Sequence, residues 1–351
     1  MIESIWLNHA HSSQRDVAAL IRSEFSHNNV KILSSHKHFR EDIFMVADSA
    51  FVEPHFAGDD GGAYADWAFG EATKLGIKAI VAMRQRRALA AARGRFADAG
   101  IRLAAGATTA RSIEICDRKD QFTDTMKEIG VPVAVTIAVR TADELRAAIA
   151  AIEINGEACV KPVVGVYGRG YWRFQKNQGL YDVFAGKTDH MIDPGVFVAA
   201  FASANEPEAL IVMEHLPGKE HSVDCVCDAG ELVAHAKRQK LANCQIVSTG
   251  GPEVEIVQAI VRHLKLDGLV NIQTRADRHG VVKVLEVNTR PSGGIGYSAA
   301  AGINLPANAA QMLLGRPVKF KSLPLPVAVR IVDQPVELPM TSRRLWESAA
   351  A

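Results

Sequence analysis

Residues 281–294 read VVKVLEVNTRPSGG and place a carboxylate, a carboxamide and a guanidinium at the end of an apolar run. The first residues are mostly β-branched or aliphatic, which predicts a strand buried mostly on both faces. Glu286 is the exception, because a buried carboxylate is costly unless a cation, a metal or hydrogen bonds meet it. Asn288 follows two residues later, so both side chains are expected on the same face of the strand. Their oxygens suit a hard divalent cation.

The same stretch continues with Arg290 and a Pro-Ser-Gly-Gly turn, so a cationic side chain follows the oxygen ligands directly. We therefore hypothesise a site for magnesium and nucleotide phosphate. Residues 269–275 form a second predicted strand, and the turn at residues 277–280 leads back into the first. This hairpin is expected to place Gln273 opposite Glu286, where it would be a third oxygen ligand.

The composition bounds the class of protein. A chain of 351 residues is longer than one core usually supports, so two or three subdomains are expected. The formal net charge of +1, with no strongly basic half, argues against nucleic acid as a partner. Five cysteines, mostly in apolar runs, favour buried thiols in a reducing cytoplasm over disulfides. No signal peptide or membrane span is predicted, so we expect a cytoplasmic protein without a membrane partner.

Residues 1–110 alternate between strand and helix patterns. Predicted strands at 4–8, 30–34, 43–47 and 77–83, with helices at 13–25 and 64–75, indicate a small parallel, Rossmann-like sheet. The first turn lacks G-x-G-x-x-G, which argues against NAD. His9 and His11 in this turn could hold an anionic substrate, but the favoured interpretation is two solvated histidines beside a serine helix cap.

Further segments carry groups suited to a nucleotide. Lys119 stands near the start of a helix predicted from residue 116 to 130, where a cation is unfavourable unless an anion is held nearby. Lys161 ends a predicted strand, and the glycines of the following loop let backbone amides approach a phosphate. Acids flank a Pro-Gly turn in residues 214–220 and could accept ribose hydroxyls. The charged run at residues 237–240 could line a phosphate channel, although such runs are usually solvated. Each segment also has an ordinary structural explanation when taken singly. Lys119 could be a surface lysine, the glycine-containing loop a β-hairpin, and residues 214–220 an acidic hairpin corner.

In this order, the segments between residues 111 and 315 resemble the ATP-grasp superfamily, particularly its branch similar to carbamoyl-phosphate synthase large chains. A looser similarity in residues 6–8, 161–168 and 222–225 is to the ATP-grasp proteins of bacterial tellurite-resistance and stress-response gene clusters. The resemblance implies an α/β and α+β protein with an ATP-grasp fold. The implied division is an N-terminal Rossmann-like parallel sheet domain in residues 1–110, an ATP-grasp domain in residues 111–318, and a strand and tail in residues 319–351. The ATP-grasp domain would comprise residues 111–205 with a glycine-rich flap and residues 206–318 with the metal site.

The resemblance also implies roles for individual residues. Arg290 and Lys161 would be catalytic, and Mg²⁺, with Mn²⁺ as an alternative, would be held by Gln273, Glu286 and Asn288. The residues implied to bind ATP are Lys119, Lys161, Gly165, Gly168, Gly170, Glu214, His215, Leu216 and Glu220. Two positions depart from the family pattern. Thr289 replaces a proline common before the arginine, which removes no ligand, and Arg169 in the flap has an open role.

The implied function is an ATP- and Mg²⁺-dependent ligase. It would activate a carboxylate as an acylphosphate, couple it to an amine or similar nucleophile, and release ADP and phosphate. Two alternatives stay open, namely an ATP-binding regulatory protein with little turnover and a small-molecule kinase on the same scaffold. The expected partners are small-molecule carboxylate and amine substrates, and a homodimer is left open.

Overall fold

The computed structural model describes residues 2–10, 13–56, 61–165, 168–188 and 190–332. The strands in these residues fall into three sheets, with helices packed against them. In chain order the elements are β1 (Glu3–Leu7), α1 (Gln14–Arg22), β2 (Val30–His36), α2 (Glu41–Phe44), β3 (Ser49–Val52), α3 (Gly61–Lys74), β4 (Ala79–Val81), α4 (Arg86–Ala91), α5 (Arg93–Asp98), β5 (Arg102–Ala104), β6 (Gly106–Ala107), α6 (Ala110–Asp117), α7 (Lys119–Glu128), β7 (Thr136–Val139), α8 (Ala142–Glu153), β8 (Ala158–Pro162), β9 (Trp172–Phe174), α9 (Leu180–Phe184), β10 (Met191–Ile192), α10 (Pro194–Ala202), β11 (Leu210–Glu214), β12 (Glu220–Asp228), β13 (Glu231–Lys240), β14 (Gln245–Ser248), α11 (Glu253–Leu264), β15 (Leu266–Ala276), β16 (Val282–Asn288), α12 (Ile295–Ala300), α13 (Leu305–Leu313) and β17 (Val327–Val329).

The first sheet is parallel throughout and has the strand order β3-β2-β1-β4-β5. Its central strand β1 carries Ile5, Trp6 and Leu7, which are fully buried, as expected when helices cover both faces of a parallel sheet. The predicted Rossmann-like sheet is thus confirmed. The strand order reverses between β1 and β4, and open α/β sheets bind ligands at the carboxyl ends of the strands beside such a reversal.

One predicted strand of this sheet is wrong. Residues 43–47 do not form a strand, because α2 occupies the start of that run and the sheet strand is β3 instead. A short apolar run fits either a strand or one helical turn. Glu41 and Asp42 lie in the first turn, where acidic side chains stabilise a helix, and this local preference decides the outcome.

The second sheet has the strand order β10-β9-β8-β11-β7 and is antiparallel except where β10 meets β9. It has its own hydrophobic cluster with α8 and α10. β8 pairs with β11, which places Lys161 opposite Ile211. The lysine predicted at a strand end is therefore held by a central strand of the sheet.

The third sheet is antiparallel and has the order β16-β15-β12-β13-β14-β17, with the short strand β6 also paired to β15. In the β15–β16 hairpin, Gln273 is the cross-strand partner of Glu286, and Asn271 is the partner of Asn288. The predicted placement of Gln273 opposite Glu286 is confirmed. β17 covers the start of a strand predicted at residues 327–332, and residues 333–351 lie outside the described part.

The prediction that β16 is buried on both faces is wrong. β16 lies at the end of the sheet, where Val284 and Val287 are buried while Leu285, Glu286 and Asn288 are only partly buried. The backbone N–H of Val284 donates to the carbonyl of Pro132 at 2.8 Å, so the segment before β7 covers this edge. Glu286 therefore avoids most of the desolvation cost that a central strand would impose.

Other differences are local. The helix predicted over residues 116–130 is two helices, because the chain is extended at Arg118 between α6 and α7. The cysteines carry free thiols, as expected. Among the residues that the structure describes, no helix has the length and hydropathy that crossing a membrane requires.

The first and third sheets share two hydrophobic clusters, and β6, which follows the last strand of the first sheet, closely approaches the residue after β16 at Gly106. Gly106 has φ of 89°, and a Cβ on it would lie 2.2 Å from the carbonyl oxygen of Thr289. Glycine is required there both by the backbone conformation and by the approach of the second chain segment. The contact fixes the residue between Asn288 and Arg290 against β6.

Candidate active site

A cavity of about 480 Å³ is lined by residues of the second and third sheets and by the start of α7. It collects the predicted site residues, except Gly170, from segments far apart in sequence. The predicted residues that line it are Lys119, Lys161, Gly165, Gly168, Glu214, His215, Leu216, Glu220, Gln273, Glu286, Asn288 and Arg290.

Gly170 lies beside this cavity's wall rather than in it. Its φ is 73°, and a Cβ on it would lie 2.8 Å from the Pro162 ring. This glycine allows the loop to fold back on the end of β8. Val166 and Tyr167 of the same loop lie outside the described residues.

Two lysines form a cationic wall. Lys119 begins α7, is 9% exposed, and donates from Nζ to the carbonyl oxygen of Gly165 at 3.1 Å. Burial lowers the pKa of Lys119, and the neighbouring Lys161 ammonium lowers it further, while Glu286 partly opposes both effects. Adjacent partly desolvated ammonium groups are favourable only when an anion joins them. The wall is therefore suited to phosphate.

Another part of the cavity lining is formed by the end of β11 and the segment that follows it. Glu214 accepts from Lys283 Nζ at 2.8 Å, an ion pair that joins β11 to β16. His215 Nδ1 lies 3.1 Å from the Tyr171 hydroxyl, and Leu216 is buried. Burial, with Arg173 and Arg275 nearby, lowers the pKa of His215. This part of the lining combines an apolar surface with polar groups at fixed positions, as in sites for planar ligands.

Glu220 begins β12 and is partly balanced by Arg275. Arg275 Nη1 lies 3.5 Å from Glu220 Oε2, and its Nε donates to the carbonyl oxygen of Gly218 at 3.1 Å. Sequence reasoning missed Arg275, Tyr171 and Lys283 as site residues. Arg275 and Lys283 belong to predicted strands, and only the assembly of those strands into sheets shows what their side chains contact.

The three predicted metal ligands lie on neighbouring strands. Glu286 Oε1 accepts from Asn288 Nδ2 at 2.9 Å, and Asn288 Oδ1 accepts from Arg290 Nη2 at 3.4 Å. Among the described residues, no three His, Cys, Asp or Glu side chains converge as a metal site. One carboxylate with amide oxygens still fits Mg²⁺, because Mg²⁺ commonly takes one or two carboxylates and completes its shell with water and substrate phosphates.

A buried network supports the loop that follows these ligands. Arg238 is 5% exposed, donates from Nε to Asp224 at 2.7 Å, and donates from Nη2 to the Ser292 hydroxyl at 2.8 Å. Lys237 pairs with Glu253 at 3.0 Å. The run at residues 237–240 is therefore not a solvated face. The side chains of this run point alternately to the two faces of β13, because successive residues of a strand point to opposite faces.

His9 differs from the favoured interpretation of a solvated histidine. Its ring Nδ1 lies 2.5 Å from Glu53 Oε2, and its side chain is 13% exposed. Ser13 precedes α1 but makes no side-chain cap, and its hydroxyl donates to the Ser292 carbonyl at 2.8 Å. His11 lies outside the described residues. The sequence could not reveal the pairing because Glu53 follows β3, the strand that was predicted wrongly.

The geometry agrees with comparisons to known proteins. A family model described as ATP-grasp in the biosynthetic pathway with Ter operon matches residues 206–335. The carbamoyl phosphate synthase large chain of Agathobacter rectalis is 24% identical over 228 residues, which are 60% of this chain and 20% of that protein. The chain thus spans about a fifth of the length of the curated relatives it matches.

Solved structures share the fold over most of the chain. An N5-carboxyaminoimidazole ribonucleotide synthetase solved with ADP has a TM-score of 0.66 and 17% identity, covering 93% of this chain and 81% of that chain. The Staphylococcus aureus N5-carboxyaminoimidazole synthetase, also solved with ADP, has a TM-score of 0.64 and 13% identity, covering 93% and 81%. This likeness shows that the chain shares the fold of these synthetases, and over residues 206–335 the chain is similar to the ATP-grasp family.

Proposed function

We propose that this protein is an ATP- and Mg²⁺-dependent ligase. It activates a carboxylate as an acylphosphate, couples it to an amine or similar nucleophile, and releases ADP and phosphate. The observation that carries the proposal is the convergence of the Lys119 and Lys161 ammonium groups with Glu286, Asn288 and Arg290 in one cavity of about 480 Å³. Such a cavity combines phosphate-binding cations with ligands for the cation that accompanies ATP.

The nucleotide would lie between residues 111–205 and residues 206–318. In this arrangement segment 214–216 meets the adenine, Glu220 meets the ribose, and the loop with Gly165 and Gly168 covers the phosphates. Gln273, Glu286 and Asn288 would hold the metal ion, which neutralises charge on the phosphates when bound. The similar synthetases were solved with ADP, which supports this placement.

The chemistry needs no side-chain nucleophile. The substrate carboxylate attacks the γ-phosphate of ATP, and negative charge spreads over the transferring group. Lys119, Lys161 and Arg290 would stabilise that charge from positions that are set before the reaction begins. The resulting acylphosphate is prone to hydrolysis, so excluding water from the cavity would protect it until the nucleophile arrives.

The direct test is Mg²⁺-dependent ADP release from ATP across a panel of carboxylic acids and amines, with mass spectrometry of the products. We expect one pair to raise ADP release and to yield a condensed product. Nucleotide binding without stimulation by any pair would refute the ligase in favour of an ATP-binding regulatory protein. A phosphorylated acceptor in place of a condensed pair would refute it in favour of a kinase.

The site assignment has its own test. Glu286→Gln is expected to lower metal-dependent ADP release by roughly 100-fold or more, because it removes the one carboxylate of the metal set. Glu231→Gln is the matched control, since Glu231 is exposed on β13 of the same sheet. Circular dichroism should show both variants folded. Normal turnover by E286Q would contradict the assignment.

A further inference from the structure

A second polar cluster lies at the carboxyl edge of the first sheet, away from the nucleotide residues. Its centre is Glu53, which is 5% exposed and accepts three hydrogen bonds. The backbone N–H of His9 donates to Oε1 at 3.0 Å, the Ser35 hydroxyl donates to Oε1 at 2.6 Å, and His9 Nδ1 lies 2.5 Å from Oε2. Three elements thus converge on one buried carboxylate.

This arrangement fixes the tautomer of His9. Burial raises the pKa of the Glu53 carboxyl, but the hydrogen bond and the charge interaction with His9, together with the hydrogen bond from Ser35, outweigh burial, so its pKa lies below the usual range. An ionised carboxylate can only accept hydrogen bonds, so Nδ1 of His9 must carry the hydrogen. In the neutral ring Nε2 is then the basic atom. A carboxylate behind an imidazole makes the opposite nitrogen a better proton acceptor.

The groups around His9 are held by neighbouring strands. The rings of His36 and Tyr64 have their centroids 5.9 Å and 6.3 Å from the His9 ring. Asn8 Oδ1 accepts from the backbone N–H of Met83 at 2.6 Å, and its Nδ2 donates to the Tyr64 hydroxyl at 3.0 Å. Asn8 thereby ties the ends of β1 and β4 together where the strand order reverses. A site of this kind is preorganised rather than assembled by a ligand.

The edge of the first sheet reaches the loop after the metal ligands. Ser13, four residues beyond His9, donates to the carbonyl of Ser292, and Ser292 also lines the nucleotide cavity. Arg86, just beyond β4, hydrogen-bonds the hydroxyl of Thr289, which precedes Arg290. Two loops of the parallel sheet therefore contact residues 289–292, where the activated acyl group would emerge.

We propose that His9, oriented by Glu53, is the base that takes a proton from the amine substrate, which binds at the carboxyl edge of the first sheet. This inference rests on the proposed ligase function and adds the class of the nucleophile, a primary amine that arrives as an ammonium ion. His9 is the catalytic residue of the step, and Glu53 is a positioning residue.

Proton transfer to His9 precedes formation of the C–N bond. The ammonium group gives one proton to His9 Nε2, and the freed lone pair attacks the acylphosphate carbon. A C–N bond forms, the bond from that carbon to the phosphate oxygen breaks, and phosphate leaves with the electron pair. The nitrogen loses a second proton to the departing phosphate, and His9 later returns its proton to solvent. General base catalysis of this kind contributes about 10²–10⁴-fold.

Hydroxylamine separates this step from activation. It is a neutral nucleophile at pH 7 and traps an acylphosphate as a hydroxamate without a base. With ATP, Mg²⁺ and the best carboxylate and amine of the panel, His9→Gln is expected to keep hydroxamate formation within about twofold and to lose amide formation by about 100-fold or more.

The matched control is His27→Gln, because His27 also pairs with a carboxylate, Asp48, but is 74% exposed. H27Q should behave as wild type. Glu53→Gln should lower amide formation. Imidazole nitrogen NMR gives a readout without substrate, and we expect neutral His9 in its Nδ1–H form in wild type.

The outcomes separate the two proposals. If wild type forms hydroxamate and amide and H9Q forms both equally well, the base assignment is overturned while the ligase stands. Loss of hydroxamate in a folded H9Q, or an Nε2–H tautomer in wild type, also overturns the assignment. If wild type yields neither hydroxamate nor stimulated ADP release, the ligase proposal fails and takes this inference with it.

Discussion

Gly106 offers a test of how β6 holds the segment from Asn288 to Arg290. An alanine at this position would have to keep φ of 89° and place its Cβ 2.2 Å from the carbonyl oxygen and 2.6 Å from the Cβ of Thr289. Neither neighbour is the flexible end of a side chain. The substitution must therefore move the backbone of that segment or that of β6.

The expected magnitude has two parts. The left-handed backbone region costs a non-glycine residue about 1–2 kcal/mol. Forcing a methyl group into a packed contact costs a further 1–3 kcal/mol or so. Gly106→Ala should therefore lower the free energy of unfolding by about 2–5 kcal/mol. Gly100→Ala is the matched control, because Gly100 has φ of 70° with nothing within 4 Å of the added Cβ, so only the backbone cost applies.

The assay is urea unfolding of wild type and both variants, followed by the shift in melting temperature that MgADP induces. G106A should be less stable than G100A by the packing cost. Its MgADP-induced shift should be smaller than that of wild type, because a displaced Thr289 also displaces Asn288 and Arg290. G100A should keep the full shift. Equal destabilisation by the two variants, with equal MgADP shifts, would show that the Gly106–Thr289 contact does not position the segment.

Two further substitutions probe charge. Lys119→Met should leave the ligand-free protein at least as stable as wild type, because burial and Lys161 lower the pKa of Lys119. In calorimetry the same substitution should weaken MgADP binding by about 10–100-fold. Lys127→Met, at an exposed position on the same helix, should change neither stability nor MgADP binding. Burial alone would raise the pKa of Glu253, but the hydrogen bonds of His221 and Lys237 lower it to about 2. The stabilisation is therefore present above the unfolded pKa near 4.5 and lost as pH falls toward 2. Glu253→Gln should thus have a lower free energy of unfolding than wild type at pH 7, by up to roughly 3 kcal/mol, and urea titrations at lower pH should show this difference shrinking. A difference that does not depend on pH would contradict this.

The arrangement of the three predicted metal ligands could be predicted because short-range sequence patterns determine it. Period-two alternation aligned Glu286 with Asn288, and the hairpin turn set Gln273 opposite. The sequence could not show that β16 is an edge strand, because the burial of a strand depends on which segments pair with it. The Lys283 contact with Glu214 depends on how the second and third sheets pack together. These are tertiary choices, which local propensity does not encode.

The first-sheet cluster shows the same limit more strongly. Ser35 stands on β2, while His9 and Glu53 follow β1 and β3. The prediction for β3 is wrong because an apolar run near an acidic turn fits two structures. The sequence predicts that His9 follows the first strand. Its partner became visible once β3 had been placed beside β2.

The contact between Ser13 and Ser292 joins residues that lie 279 positions apart. The first sheet takes its strands from residues 3–104, yet the hydrophobic clusters that contain these strands also contain residues of the third sheet. Because the two sheets share their cores, we expect them to unfold together rather than one after the other. The segment around residue 292 should therefore keep its place for as long as the first sheet is folded.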